Sequence, residues 1–194
     1  MKEISMNRNH DDVTLCDDDT MGDIARLMSG PDDEALVQLD AALVHWPGDH
    51  RLWFLRGSIY AGQQRRNEAR ADFSQTIALV PDFDIARFML GMIELLDGQV
   101  SEATAIWATL DERLSQHDAL WLFKTGLLAL CDDRFDAALD WLKRGLTVNH
   151  RYAGIDGYIE TIVAHLETLM RKADDEATSG HLLLSGYLAS RTRH

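Results

Sequence analysis

His50 to Phe83 reads HRLWFLRGSIYAGQQRRNEARADFSQTIALVPDF, and this stretch decides the fold. Trp53, Gly57 and Tyr60 mark its first half, Ala69 and Phe73 its second, and Pro81 follows. The spacing predicts two amphipathic helices joined by a turn. A large aromatic opens the first helix and packs it on its partner. Gly57 has no side chain, so two helix backbones can approach closely. Proline cannot continue a helix, so Pro81 closes the unit.

The unit recurs on both sides. Pro47 lies 34 residues before Pro81, and Ala35 lies 34 before Ala69. Downstream, Leu90, Gly91, Gly98, Ala103 and Trp107 hold the same register, followed by Leu122, Gly126, Phe135, Ala138, Leu142 and Gly145. The step from Ala103 to Ala138 is one residue longer than the period. A lengthened second helix or turn is expected to absorb the insertion.

This pattern resembles the tetratricopeptide repeat, W-x2-L-G-x2-Y then A-x3-F then P over about 34 residues. The resemblance implies an all-α fold, an α-solenoid of tetratricopeptide-like helix pairs with a C-terminal capping helix. On that register 1–20 is a flexible acidic tail, and 21–172 is the repeat domain. The domain comprises a divergent repeat at 21–49, repeats at about 50–83, 84–118 and 119–152, and a capping helix at 154–172. A polar linker and an apolar tail carrying Leu182, Leu183, Leu184, Tyr187 and Leu188 fill 173–194. The chain departs from the pattern at Arg56 and Glu94, where the family is usually apolar, and at Arg87, which replaces the opening tryptophan. Arg56 and Glu94 lie in consecutive repeats, so one expectation is that they pair across the repeat interface, and the alternative is that each side chain bends out to solvent.

Composition fits this reading. Hydrophobic residues are 46% and charged residues 26% of the 194, a globular balance, and only 3 prolines interrupt the helical periodicity. No apolar run approaches the ~18 residues of a membrane span, and the opening MKEISMNRNHDD lacks the apolar stretch of a signal peptide. A net charge of −13 disfavours nucleic acid and anionic membranes as partners. Cys16 and Cys131 have no metal-like spacing and read as reduced cytoplasmic thiols. The eight histidines form no metalloprotease pair, and His45, Asp49 and His50 read as a turn. No nucleophile elbow, phosphate loop or dinucleotide fingerprint is present, so no catalytic residue, metal or cofactor is expected.

In the resembled family the first helix of each pair lines a concave groove. Carried over site by site, that face comprises Phe54 and Leu55 in one repeat, then Phe88, Met89, Met92 and Leu95, then Phe123 and Leu127. It is apolar along nearly its whole length, which marks a binding surface or something that covers it. The lysine–asparagine–arginine clamp that some members use for a C-terminal carboxylate is absent. The small, acidic, apolar-grooved pattern is also similar to type III secretion chaperones with three such repeats. The expectation is a protein-interaction module, adaptor or chaperone, binding an apolar partner segment. The alternative is a self-associating subunit, such as a homodimer, whose groove is covered by its own tail or by a second copy.

Overall fold

The structure is a computed structural model that describes residues 15–148, 152 and 154–172. The described residues form helices, turns and no strand. Eight helices follow one another: α1 (Asp18–Leu27), α2 (Asp32–His45), α3 (His50–Gly62), α4 (Arg66–Leu79), α5 (Asp84–Leu96), α6 (Val100–Arg113), α7 (Ala119–Cys131) and α8 (Phe135–Thr147). A further helix, α9, spans 154–172. The expected apolar tail at 182–188, the linker before it and the first 14 residues lie outside the described residues.

The helix starts display the repeat. α2, α4, α6 and α8 begin at 32, 66, 100 and 135, and α3, α5 and α7 at 50, 84 and 119. The one-residue insertion falls between α6 and α7. Those helices are separated by 114–118, whereas 80–83 separate α4 from α5. Helix length is unchanged, so the connection absorbs the insertion.

Local chemistry sets the ends. Asp17, Asp49 and Asp118 cap α1, α3 and α7, each accepting from a backbone N–H of the first turn at 2.8, 2.9 and 2.9 Å. α1 therefore begins at Asp18, inside the stretch expected as a tail. Its acids Asp18 and Asp19 sit at the positive end of the helix. The turns inside successive pairs place Gln64, Gly98 and Asp133 in the left-handed region, at φ 60°, 77° and 56°. These three positions are equivalent, and only one is the glycine that suits it.

The chain divides into two compact units, Met1–Trp107 and Ala108–His194. In the first, α1, α2 and α3 share a core of Ile24, Ala35, Leu39, Leu43, Leu52 and Ile59, which Cys16 joins. Phe73, Ala69, Ala86 and Ile93 make a second cluster between α4 and α5. Trp107 is fully buried and stacks on Phe88 at 5.7 Å. In the second unit, Leu110, Leu120, Leu122, Phe123, Leu142 and Ile159 are the largest fully buried side chains among the described residues.

Candidate functional site

The first helices of the pairs carry the candidate face. Phe54 on α3 is half-buried, with its ring centroid 5.8 Å from Phe73 and 5.2 Å from Phe83. Leu55 packs at the edge of the N-terminal core. On α5, Met89 and Leu95 are half-buried and Leu96 is 46% exposed. Ile85, Met89, Met92 and Leu96 recur at i, i+4, i+7 and i+11, which puts them along one stripe of the helix.

Four of the expected groove residues lie in the core instead: Phe88, Met92, Phe123 and Leu127, none more than 4% exposed. Helix contacts at glycine explain two of them. Gly91 leaves the space that the Trp107 indole fills, and the Trp107 Nε1–H donates to the Phe88 carbonyl at 3.0 Å. That indole lies flat on the Phe88 ring. Likewise a Cβ on Gly145 would run into the Phe123 ring. The more exposed residues of this face are Phe54, Leu55, Met89, Leu95 and their neighbour Leu96.

Polar groups hold the helices of the first unit in place. Arg56 donates from Nε and Nη2 to the two oxygens of Asp72, both at 2.8 Å, and from Nη1 to Asp40 at 2.6 Å. Its guanidinium also lies 4.8 Å from the Trp53 ring centroid. Glu94 accepts from Arg70 at 2.6 and 3.2 Å, and Arg70 reaches Asp97 at 2.6 Å. The expected Arg56–Glu94 pair is therefore not formed. Each reaches α4, from α3 and from α5 respectively, and finds its partner there. Arg87 replaces the tryptophan but keeps one of its bonds. Trp53 Nε1 donates to the Pro47 carbonyl at 2.8 Å, and Arg87 Nη2 donates to the Pro81 carbonyl at 2.8 Å.

The N-terminal segment is tied to the same unit. Asp49 is fully buried and accepts from the Cys16 N–H at 2.9 Å, while Arg51 donates to the Cys16 carbonyl at 3.1 Å. Burial pushes the Cys16 thiol up, helped by Asp17 and Asp49, so it is a neutral packed group. In the second unit Lys124 is buried, with its ammonium 2.6 Å from Asp111 and 5.6 Å from the Trp121 ring centroid. Trp121 Nε1 donates to the same carboxylate at 2.9 Å. Among the described residues, no group of three or more histidines, cysteines or acids is placed to hold a metal ion. None of their helices is long and apolar enough to cross a membrane.

The family model described as tetratricopeptide repeat matches residues 59–111, the span in which the 34-residue helix register is strictest. Over those residues the helix pairs match the tetratricopeptide repeat. A curated relative, the tetratricopeptide repeat and J domain-containing co-chaperone DNJ1 of Fusarium oxysporum f. sp. lycopersici, is 32% identical over 79 residues. The match takes in 41% of this chain and spans only 15% of that relative's length. Among solved structures, MamA (residue 41 to the end) from Desulfovibrio magneticus RS-1 superposes with a TM-score of 0.53 at 17% identity. It covers 84% of this chain and 89% of that one. The ArsTM double mutant of MamA RS-1 gives 0.55 at the same identity and coverage. At this identity the likeness is one of fold.

Proposed function

We propose that this chain is a protein–protein interaction module, and that its N-terminal unit holds an apolar partner segment against α3 and α5. The observation that carries the reading is the α5 stripe. Leu96 is 46% exposed and Met89 and Ile85 are half-buried, on the stripe they share with the buried Met92. Apolar side chains in that geometry are adaptable docking surface, methionine above all. Each well-buried partner side chain contributes about 1.5–3 kcal/mol before ordering costs are subtracted. Repeat arrays of this type bind through the extended faces that stacking creates. The co-chaperone named among the relatives fits a chaperone or adaptor role, and the two free thiols fit a cytoplasmic setting.

The test is an array of apolar 15-residue peptides with polar scrambled controls, probed with the full chain. A subset should bind, and Met89→Glu combined with Leu96→Glu should weaken that binding at least about tenfold, a coupling of roughly 1.4 kcal/mol. Lys143→Ala on α8 should leave it unchanged. Equal binding of scrambled peptides, or indifference to the α5 substitutions, ends the reading. Sedimentation of the full chain addresses the alternative. A concentration-dependent dimer dispersed by the same α5 substitutions would mean that a second copy covers this face.

A further inference from the structure

Helix α1 is intrinsically weak. It has 10 residues, short of the about 12–15 that a helix needs to persist alone in water. Gly22 and Asp23 stand in its interior, and both residue types disfavour a helix. A Cβ on Gly22 would meet nothing within 4 Å, so no neighbouring helix requires the glycine. Ile24 is the one buried residue of α1, with Met21 and Leu27 partly buried against the same core.

The segment just before α1 is bound more firmly. Cys16 is 4% exposed, and the head of α3 holds its backbone on both sides. Its N–H donates to Asp49 Oδ2 at 2.9 Å, and its carbonyl accepts from Arg51 Nη2 at 3.1 Å. Asp49 and Arg51 also hold each other. Arg51 Nη2 donates to Asp49 Oδ2 at 2.6 Å, and the Arg51 N–H donates to Asp49 Oδ1 at 2.9 Å. Both of those contacts lie within the head of α3, so they stay intact if the segment leaves. Release then strands no unpaired buried carboxylate, the costly outcome when an ion pair is broken from one side. Asp17 couples the segment to the helix. Its backbone is extended, and its carboxylate accepts from the Thr20 N–H at 2.8 Å and from Thr20 Oγ1 at 3.0 Å.

We propose that residues 15–27 form a latched lid: the strap at 15–17 and α1 open and close together on the α2–α3 core, and the Asp49–Arg51 pair is the latch that sets how often. Opening bares apolar surface that the closed chain hides, because Cys16 and Ile24 share one core with Leu39, Leu43 and Leu52. The lid is independent of the docking face on α3 and α5, so it stands or falls separately from the proposed function.

Thiol labelling and amide hydrogen exchange on the full chain test it, with each labelled cysteine identified by mass. Exposed Cys131 supplies the unprotected labelling rate. Opening read at buried Cys16 and at the amides of α1 should agree. Both should be at least about tenfold more frequent than opening at the amides of α2 and α3. Asp49→Asn keeps the cap of α3, since asparagine caps as well as aspartate, but it removes the charge of the latch. It should widen the gap between α1 and α3 by at least about another tenfold. Arg51→Lys keeps a cation beside Asp49 but loses the fork that also reaches Cys16, and it should act in the same direction. The proposal is overturned if Cys16 and α1 open no more often than α2 and α3, or if Cys16 and α1 open at different frequencies. A gap that neither substitution widens overturns it equally, because the latch then lies elsewhere.

Discussion

Arg56 and Asp72 face each other through two parallel hydrogen bonds of 2.8 Å, with Asp72 only 3% exposed. The bonds to Asp72, and after burial's opposing effect those to Asp40, raise the affinity of Arg56 for its proton, so the charge is permanent. Arg56→Met leaves a buried carboxylate with no counter-charge, which costs about 3–5 kcal/mol when such a pair is broken from one side. The double variant Arg56→Met, Asp72→Leu removes both charges and should recover a large part of the loss. Urea denaturation of the single and the double variant reads this directly. Arg56→Met and Glu94→Leu should be additive, since Glu94 belongs to Arg70. A coupling between Arg56 and Glu94 above about 0.5 kcal/mol would contradict the arrangement.

That pair also shows which parts of the fold the sequence displays. Gly57, Gly91, Gly126, Ala69, Ala103 and Ala138 recur at intervals of 34 or 35 residues because helix crossings demand small residues, so the repeat register is readable without coordinates. Spacing gives the face of a helix on which Arg56 sits but not which neighbour it meets, and the intervening α4 was the missing fact. The candidate face was half legible for a related reason. Phe88 and Leu96 both belong to the inner side of α5, yet the Trp107 indole covers one and leaves the other exposed. The start of α1 had a signal that was passed over: Asp17 accepts from Thr20 through both backbone and side chain, ahead of two acids.

The glycines at the crossings should not tolerate a methyl group. A Cβ on Gly57 would lie 3.0 Å from Asp72 Cβ and from the Phe73 ring, and one on Gly126 2.7 Å from Leu142. A Cβ on Gly91 would fall inside the Trp107 indole, which is fully buried and held by its bond to Phe88. Alanine gains about 1 kcal/mol of helix propensity over glycine, but overpacking of this kind costs about 1–3 kcal/mol or more. Gly91→Ala should lower the melting temperature most, and Trp107→Phe should partly rescue it by making room. Unchanged melting for both Gly57→Ala and Gly91→Ala would mean that these helices do not meet there.

The three equivalent turns allow an internal comparison. Gln64 and Asp133 carry side chains at φ 60° and 56°, where Gly98 stands at 77° with open space around a would-be Cβ. Left-handed backbone costs a side-chain-bearing residue about 1–2 kcal/mol, while glycine loses about 0.4–1 kcal/mol through the freedom it adds to the unfolded chain. Gln64→Gly should therefore stabilise the fold by up to about 1 kcal/mol, and Gly98→Ala should destabilise it by about the same amount. Denaturant midpoints at constant slope decide both. A loss of stability in Gln64→Gly would show that its side chain contributes more than the backbone strain removes.

The Asp49–His50 step at the head of α3 predicts how stability depends on pH. Burial alone would raise the Asp49 carboxyl; the bonds from Arg51 and from the Cys16 N–H outweigh it and hold the group below the usual carboxylate range. A depressed acid gives stability that is complete above the unfolded value, about 3.9, and is lost as pH falls through the folded one. His50 is shifted down by burial against Phe83, 5.0 Å between ring centroids, with Asp49 opposing and Arg51 adding to the shift. Its neutral form is the folded form, so the unfolded chain takes up the proton first. Stability should begin to fall as pH drops below about 6.5, the value in an unfolded chain. The two groups thus act in separate windows. Melting curves by circular dichroism from pH 7.5 to 3 should show a shallow loss that begins below about 6.5 and a steeper one below about 4. His50→Gln should flatten the upper window and leave the lower, and Asp49→Asn should lower stability at neutral pH and flatten the acid limb. If His50→Gln leaves the slope just below about pH 6.5 unchanged, His50 is not the group that titrates there.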